Sequence, residues 1–205
     1  MKIIVISFCF LILSGAVYPS QEQAKKTKDS WKFSLQIFEF VTELNQSING
    51  FFNQEKTDRL YRELGYFSID LSNYLSTRER LVNYIEKKQD KLDGKIAKAL
   101  VNDLKVKLAA LNFRFDHLKS QVLDGFKDGA DIVQRSQRPL VANDSEVLTP
   151  LQDFLNGEKI TEGKQVFLRN LLVESKQIRH QLDITLTTIT SLRDQIKAHS
   201  ASKSR

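Results

Sequence analysis

The sequence predicts an all-α fold, a helical bundle of four main long helices with a long crossover or insert between the third and the fourth. Three observations support this prediction. Apolar residues recur at steps of three and four along four long segments. No segment sustains the alternation of apolar and polar residues that a strand would show, so we expect no sheet. Only 8 glycines and 3 prolines occur in 205 residues, and the glycines form no phosphate-binding loop.

The first 16 residues are typical of a secretory signal peptide. Lys2 precedes an apolar run from Ile3 to Leu13, and Ser14 and Ala16 precede a cleavage site after Ala16. The run is about half the roughly 20 residues that a membrane-spanning helix needs. We therefore expect residues 1–16 to be removed and no transmembrane anchor to remain. The protein would then be secreted, either extracellular or, in a bacterium, periplasmic.

A polar segment, 17–28, leads into one helical domain, 29–199, whose first helix should span about 30–50. An apolar arc this wide is typical of a helix central to a bundle. The apolar positions on steps of three and four are Trp31, Leu35, Phe38, Val41, Leu44 and Ile48, and Phe33, Ile37, Phe40 and Phe51 widen the arc.

The second and third helices, about 57–92 and 95–127, should form an antiparallel hairpin, because only a short turn at Asp93-Gly94 separates them. Ser76 to Glu79 matches a capping box, so the second helix either continues there or restarts. The third helix should place Lys and Asp on its outer face. Its core positions are Ile96, Leu100, Leu104, Leu108, Leu111, Phe115, Leu118, Val122 and Phe126.

Residues 128–160 break the helical period and contain Pro139 and Pro150, so we expect an irregular insert with one short helix. The last helix should span about 163–198, and residues 200–205 should form a disordered basic tail. Core positions of the last helix are Leu171, Ile178, Leu182, Thr185, Ile189, Leu192 and Ile196.

The residue types needed for catalysis or metal binding are sparse. The single cysteine, Cys9, lies inside the signal peptide, and the three histidines form no Glu-x-x-His pair of the kind that builds metal sites in bundles. No Gly-x-Ser-x-Gly motif is present. We therefore expect a protein that is not an enzyme and holds neither a cofactor nor a metal.

Three groups of residues are candidate binding sites. The insert is a candidate protein-binding surface or a plain crossover, and Asn143 is a better N-glycosylation acceptor than Asn45 if the host is eukaryotic. A group of aromatic residues either packs in the core or lines an apolar pocket. The lysines are a solvated face or a contact for an anionic surface. The insert group is Arg138, Val141, Asn143, Asp144 and Glu146; the aromatic group is Phe51, Phe52, Tyr61, Tyr66 and Phe67; the lysine group is Lys87, Lys88, Lys91, Lys95 and Lys98.

These features favour an exported, non-catalytic helical bundle that binds a protein partner. The alternative is an extracytoplasmic carrier of a lipid or other apolar small molecule held between amphipathic helices. Nucleic acid is not an expected partner, because the chain is exported and its arginines do not cluster with exposed aromatic residues.

Overall fold

The structure, a computed structural model, describes residues 32–47, 54–88, 91–126, 129–135, 151–156 and 163–203. Within these ranges the chain forms helices and no β-strand, which confirms the predicted all-α bundle with four long helices. Residues 151–155 form a short helical segment. The helices are α1 (Lys32–Gln46), α2 (Gln54–Lys88), α3 (Gly94–Gly125), α4 (Gly129–Arg135) and α5 (Lys164–Lys203).

Two helical stretches extend beyond what the sequence predicted. Helix α5 continues to Lys203, past the expected start of a disordered tail at Ser200. The reason is that the stretch contains no glycine or proline to end the helix. Helix α4 lies inside the predicted irregular insert, where its apolar residue Ile132 is buried against the bundle.

Helix α2 is continuous through Ser76, where the sequence left a restart open. The side chains of the capping-box match are bonded elsewhere. Thr77 Oγ1 accepts a hydrogen bond from Arg80 Nη2 at 3.2 Å. Glu79 pairs with Arg179 of α5 at 2.5 Å, so its carboxylate does not cap a new helix.

Helices α2 and α3 form the predicted antiparallel hairpin. Arg114 lies 3.3 Å from both Glu63 and Asp70, and Arg80 of α2 reaches Asp103 of α3 at 2.6 Å. The residue numbers of the paired positions therefore increase along α2 as they decrease along α3, which is the pattern of two antiparallel helices. At the turn, the Asp93 N–H donates to Tyr84 Oη at 2.9 Å.

Helix α1 fills one end of the bundle, here called the aromatic end. Phe115 of α3 packs edge-on against Phe40 of α1, with ring centroids 5.1 Å apart, and lies 5.7 Å from Phe67 of α2. All three side chains are fully buried. Gln195 of α5 donates to Asn45 of α1 at 3.1 Å. All four long helices therefore meet at this end.

The 151–155 segment takes the place of α1 at the opposite end, here called the hairpin end. Leu151 is buried, Lys105 of α3 donates to Gln152 at 2.8 Å, and the Phe154 ring lies 5.1 Å from that of Phe167 in α5. Helix α4 instead folds back on the C-terminal end of α3. A Cβ on Gly129 would collide with the Val122 carbonyl oxygen. Helix α4 and the 151–155 segment therefore lie at opposite ends of the bundle.

Candidate functional site

The insert group of candidate residues lies outside the described residues. This applies to Arg138, Val141, Asn143, Asp144 and Glu146, and with them to the Asn143 glycosylation sequon, so these assignments stay predictions. The acceptor of the other sequon, Asn45, lies on α1, where its Oδ1 accepts the hydrogen bond from Gln195.

The aromatic group has three members among the described residues, and each has a different environment; Phe51 and Phe52 lie outside that part of the chain. Phe67 is fully buried in the core. Tyr61 faces α5, and the guanidinium of Arg193 lies 4.4 Å from its ring centroid. Tyr66 is half-exposed, with the Arg114 guanidinium 5.0 Å from its ring. The three rings thus face the core, the α2–α5 seam and solvent.

The lysine group surrounds the hairpin end of the bundle. Lys87 and Lys88 are the last two residues of α2, Lys91 lies in the turn, and Lys95 and Lys98 lie near the start of α3. All five side chains are exposed, and no acidic side chain in the described part of the chain pairs with any of them. Together they form a positively charged tip.

An exposed apolar stripe continues from this tip along α3, on the side opposite the core. Val106 is 63% exposed and Phe113 is 61% exposed, and the Phe113 ring contacts His117 with centroids 4.9 Å apart. Helical spacing places these residues on one face. We define the α3 outer face by Lys95, Ala99, Val106, Ala110, Phe113 and His117, all of them exposed.

Sequence reasoning missed this face by assigning Lys and Asp to the side of the third helix opposite its core. The signal was present, because Val106 and Phe113 are seven residues apart and fall outside the core period of that helix. In an amphipathic helix the positions opposite the core are normally polar. Two large apolar residues there form a second, shorter stripe.

The α3 outer face lies on a basic helix. From Gly94 to Gly125, α3 contains six Lys or Arg residues and three Asp residues. Two of the three Asp residues are paired, Asp103 with Arg80 of α2 and Asp116 with Lys119 of α3, and Asp124 is exposed in the last turn. The face therefore combines exposed apolar side chains with an excess of positive charge.

Two small cavities lie at the hairpin end. A surface depression of about 90 Å³ is lined by Lys98, Val101 and the 151–156 stretch. A second cavity, of about 10 Å³, lies beside Arg78 in the core. Among the described residues, no three His, Cys, Asp or Glu side chains are grouped to hold a metal ion. None of the helices described combines the length and apolar composition needed to cross a bilayer.

No protein-family model matches this chain, and no curated protein or solved structure matches it either.

Proposed function

We propose that the protein is an exported, non-catalytic helical bundle that binds a protein partner through the α3 outer face. The observation that supports the proposal is the exposure of Val106 and Phe113, each more than 60% accessible on a helix whose other face is buried. Apolar residues rimmed by polar ones are typical of a protein-binding surface.

Covering this stripe would contribute a useful part of a binding free energy. Full burial of a side chain the size of Val or Phe is worth about 1.5–3 kcal/mol. Val106 and Phe113 each have some three-fifths of their surface still to bury, so the pair would contribute about 2–4 kcal/mol. Lysines on the same helix, such as the partly exposed Lys107, would add steering of the partner more than affinity.

The positive charge of α3 indicates that its partner is negatively charged. Six basic and three acidic residues leave the helix with a net positive charge. Two copies of this chain docked through the same face would bring like charges together, which is unfavourable. We therefore infer that the partner presents an apolar ridge flanked by Asp or Glu residues.

Affinity capture from the native fluid tests this proposal with matched variants. The test variant is Val106→Ser with Phe113→Ser, and the control is Val173→Ser with Ile184→Ser, which removes two exposed apolar residues from α5. We expect the wild-type protein and the control to retain the same acidic partner and the test variant to lose it at least tenfold. Added salt should weaken the retained complex.

A third variant separates the α3 outer face from the insert. It replaces residues 141–146 with a Gly-Ser linker. We expect this variant to keep the partner. Loss of the partner by the linker variant, together with retention by the α3 variant, would contradict the proposal and assign the surface to the insert. A dimer in size-exclusion chromatography that the α3 variant abolishes would also contradict it, because the occupant would then be a second copy.

A further inference from the structure

Arg78 is a buried arginine that pairs with no carboxylate among the described residues. It lies on α2 with only 4% of its surface exposed. Its Nη1 donates to Tyr74 Oη at 3.1 Å and its Nη2 donates to Ser175 Oγ of α5 at 3.2 Å. Its Nε is buried without a hydrogen-bond partner. Both of its partners among the described residues are neutral hydroxyl groups.

Such an arrangement is costly unless something else compensates the charge. A guanidinium keeps its charge in proteins and carries five N–H donors. Buried charges are normally paired, because an unpaired one loses its hydration with no Coulombic return. Arg114 shows the normal arrangement in this same bundle, since it is less buried than Arg78 yet contacts both Glu63 and Asp70.

The surroundings of Arg78 are apolar and include a small cavity. Besides Arg78 and Ser175, the cavity is lined only by aliphatic side chains, which come from α2, α3, α5 and the 151–155 segment. The aliphatic residues are Leu81, Val82, Ile85, Leu104, Leu151 and Leu171. With a volume of about 10 Å³, the cavity is at the lower limit for one water, so a larger occupant must displace part of its lining.

The part of the lining that can be displaced most readily is the 151–155 segment. Its described part is a little over one helical turn, whereas α2, α3 and α5 each have more than 30 residues. Leu151 lines the cavity from this segment, which is further held by the Gln152–Lys105 hydrogen bond and the Phe154–Phe167 ring contact. Few contacts and short length favour local opening.

We propose that Arg78 binds the carboxylate of a long-chain carboxylic acid, whose alkyl chain replaces the 151–155 segment between α2, α3 and α5. The free Nε and the neighbouring Nη form the planar edge that accepts a carboxylate through two parallel hydrogen bonds. The aliphatic lining accepts the chain. A pocket that is mostly apolar with one charged anchor is the usual form of a small-molecule site. This site is separate from the α3 outer face and does not depend on the proposed function.

Calorimetric titration of the purified full-length mature protein tests the proposal with three probes. These are dodecanoate below its micelle-forming concentration, 1-dodecanol and acetate. We expect dodecanoate to bind at a ratio of one to one and at least tenfold more tightly than either other probe, because only dodecanoate combines chain and charge. Equal binding of dodecanol, or no binding of dodecanoate, would overturn the proposal without any variant.

Two arginine variants then assign the anchor. Arg78→Met should reduce the preference for dodecanoate over dodecanol at least tenfold, while Arg80→Met, at an exposed position on the same helix, should leave it unchanged. Arg78→Met should also melt no lower than the wild-type protein, because it removes an unpaired buried charge at similar volume. An unchanged preference in Arg78→Met, or a large fall in its melting temperature, would show that the arginine has only a structural role.

Discussion

Phe115→Ala is expected to be among the most destabilising single changes in the protein. The Phe115 ring is fully buried and joins three helices, through Phe40 of α1 and Phe67 of α2. Replacing a core Phe by Ala costs about 3–5 kcal/mol in total, and the loss of two aromatic pairs places Phe115 in the upper half of that range. We therefore expect a loss of about 4–5 kcal/mol, against a total stability of about 5–15 kcal/mol for a natural domain.

Phe113→Ala is the matched control for this change. It is the same substitution two residues earlier on the same helix, but Phe113 is 61% exposed and its ring contacts only His117 among the aromatic contacts described. Its effect should stay within about 0.5 kcal/mol. Urea unfolding followed by far-UV circular dichroism measures both, and Phe115→Ala should also lower the melting temperature by about 8–20 °C. Equal losses for the two variants would refute the assignment of the core face of α3.

Three further outcomes are expected. A Cβ on Gly65 would lie 3.2 Å from Nη2 of Arg193, so Gly65→Ala should gain its full helix-propensity benefit of about 1 kcal/mol only in an Arg193→Ala background. An equally large gain in stability from Gly65→Ala with Arg193 present would contradict the contact between position 65 and Arg193. Asp93→Ala should cost about 1 kcal/mol in thermal melting, because the Asp93 carboxylate caps α3 by accepting two backbone N–H bonds; unchanged melting would argue against the cap. N-terminal sequencing of secreted protein should start at or near Val17, and a retained Met1 would contradict export.

Most core positions could be predicted from the sequence, because in long helices the apolar period itself decides which face is buried. All seven core positions assigned to the last helix, from Leu171 to Ile196, are buried. The period is a poorer guide where a helix has apolar residues around most of its circumference. In α1, Leu35 is 41% exposed while Ile37 and Phe40 are fully buried. Packing against α3 and α5 determines which of the two possible apolar stripes of α1 is buried. The period of a single sequence does not show how α1 packs against these helices.

Which residues are buried at the end of a helix also depends on capping contacts, and the apolar period of the sequence does not reveal these. Ile96 follows the core spacing of α3 but is 49% exposed, while its neighbour Ala97 is fully buried. Ile96 lies in the first turn, where its N–H binds the Asp93 carboxylate and the position of the cap sets the phase of the helix.

The burial of Arg78 could have been predicted from the sequence, because the core period of α2 includes this charged position. Arg78 occupies a core position, four residues after Tyr74 and seven after Leu71, both of them buried. An arginine in that register predicts a buried charge. What surrounds it could not be predicted, because Ser175 and Leu151 are far away in sequence and reach it only through the fold.

Site-specific photo-cross-linking tests the central claim, that the α3 outer face binds an acidic protein partner, most directly. A benzophenone amino acid would replace Phe113 in one sample and the similarly exposed Val173 of α5 in the other, and both would be irradiated in native fluid. We expect a cross-link at position 113 to a partner peptide rich in Asp and Glu, and none at position 173. A cross-link at position 173 without one at 113, or a cross-link at 113 only to a second copy of this chain, would show that the α3 outer face does not bind such a partner.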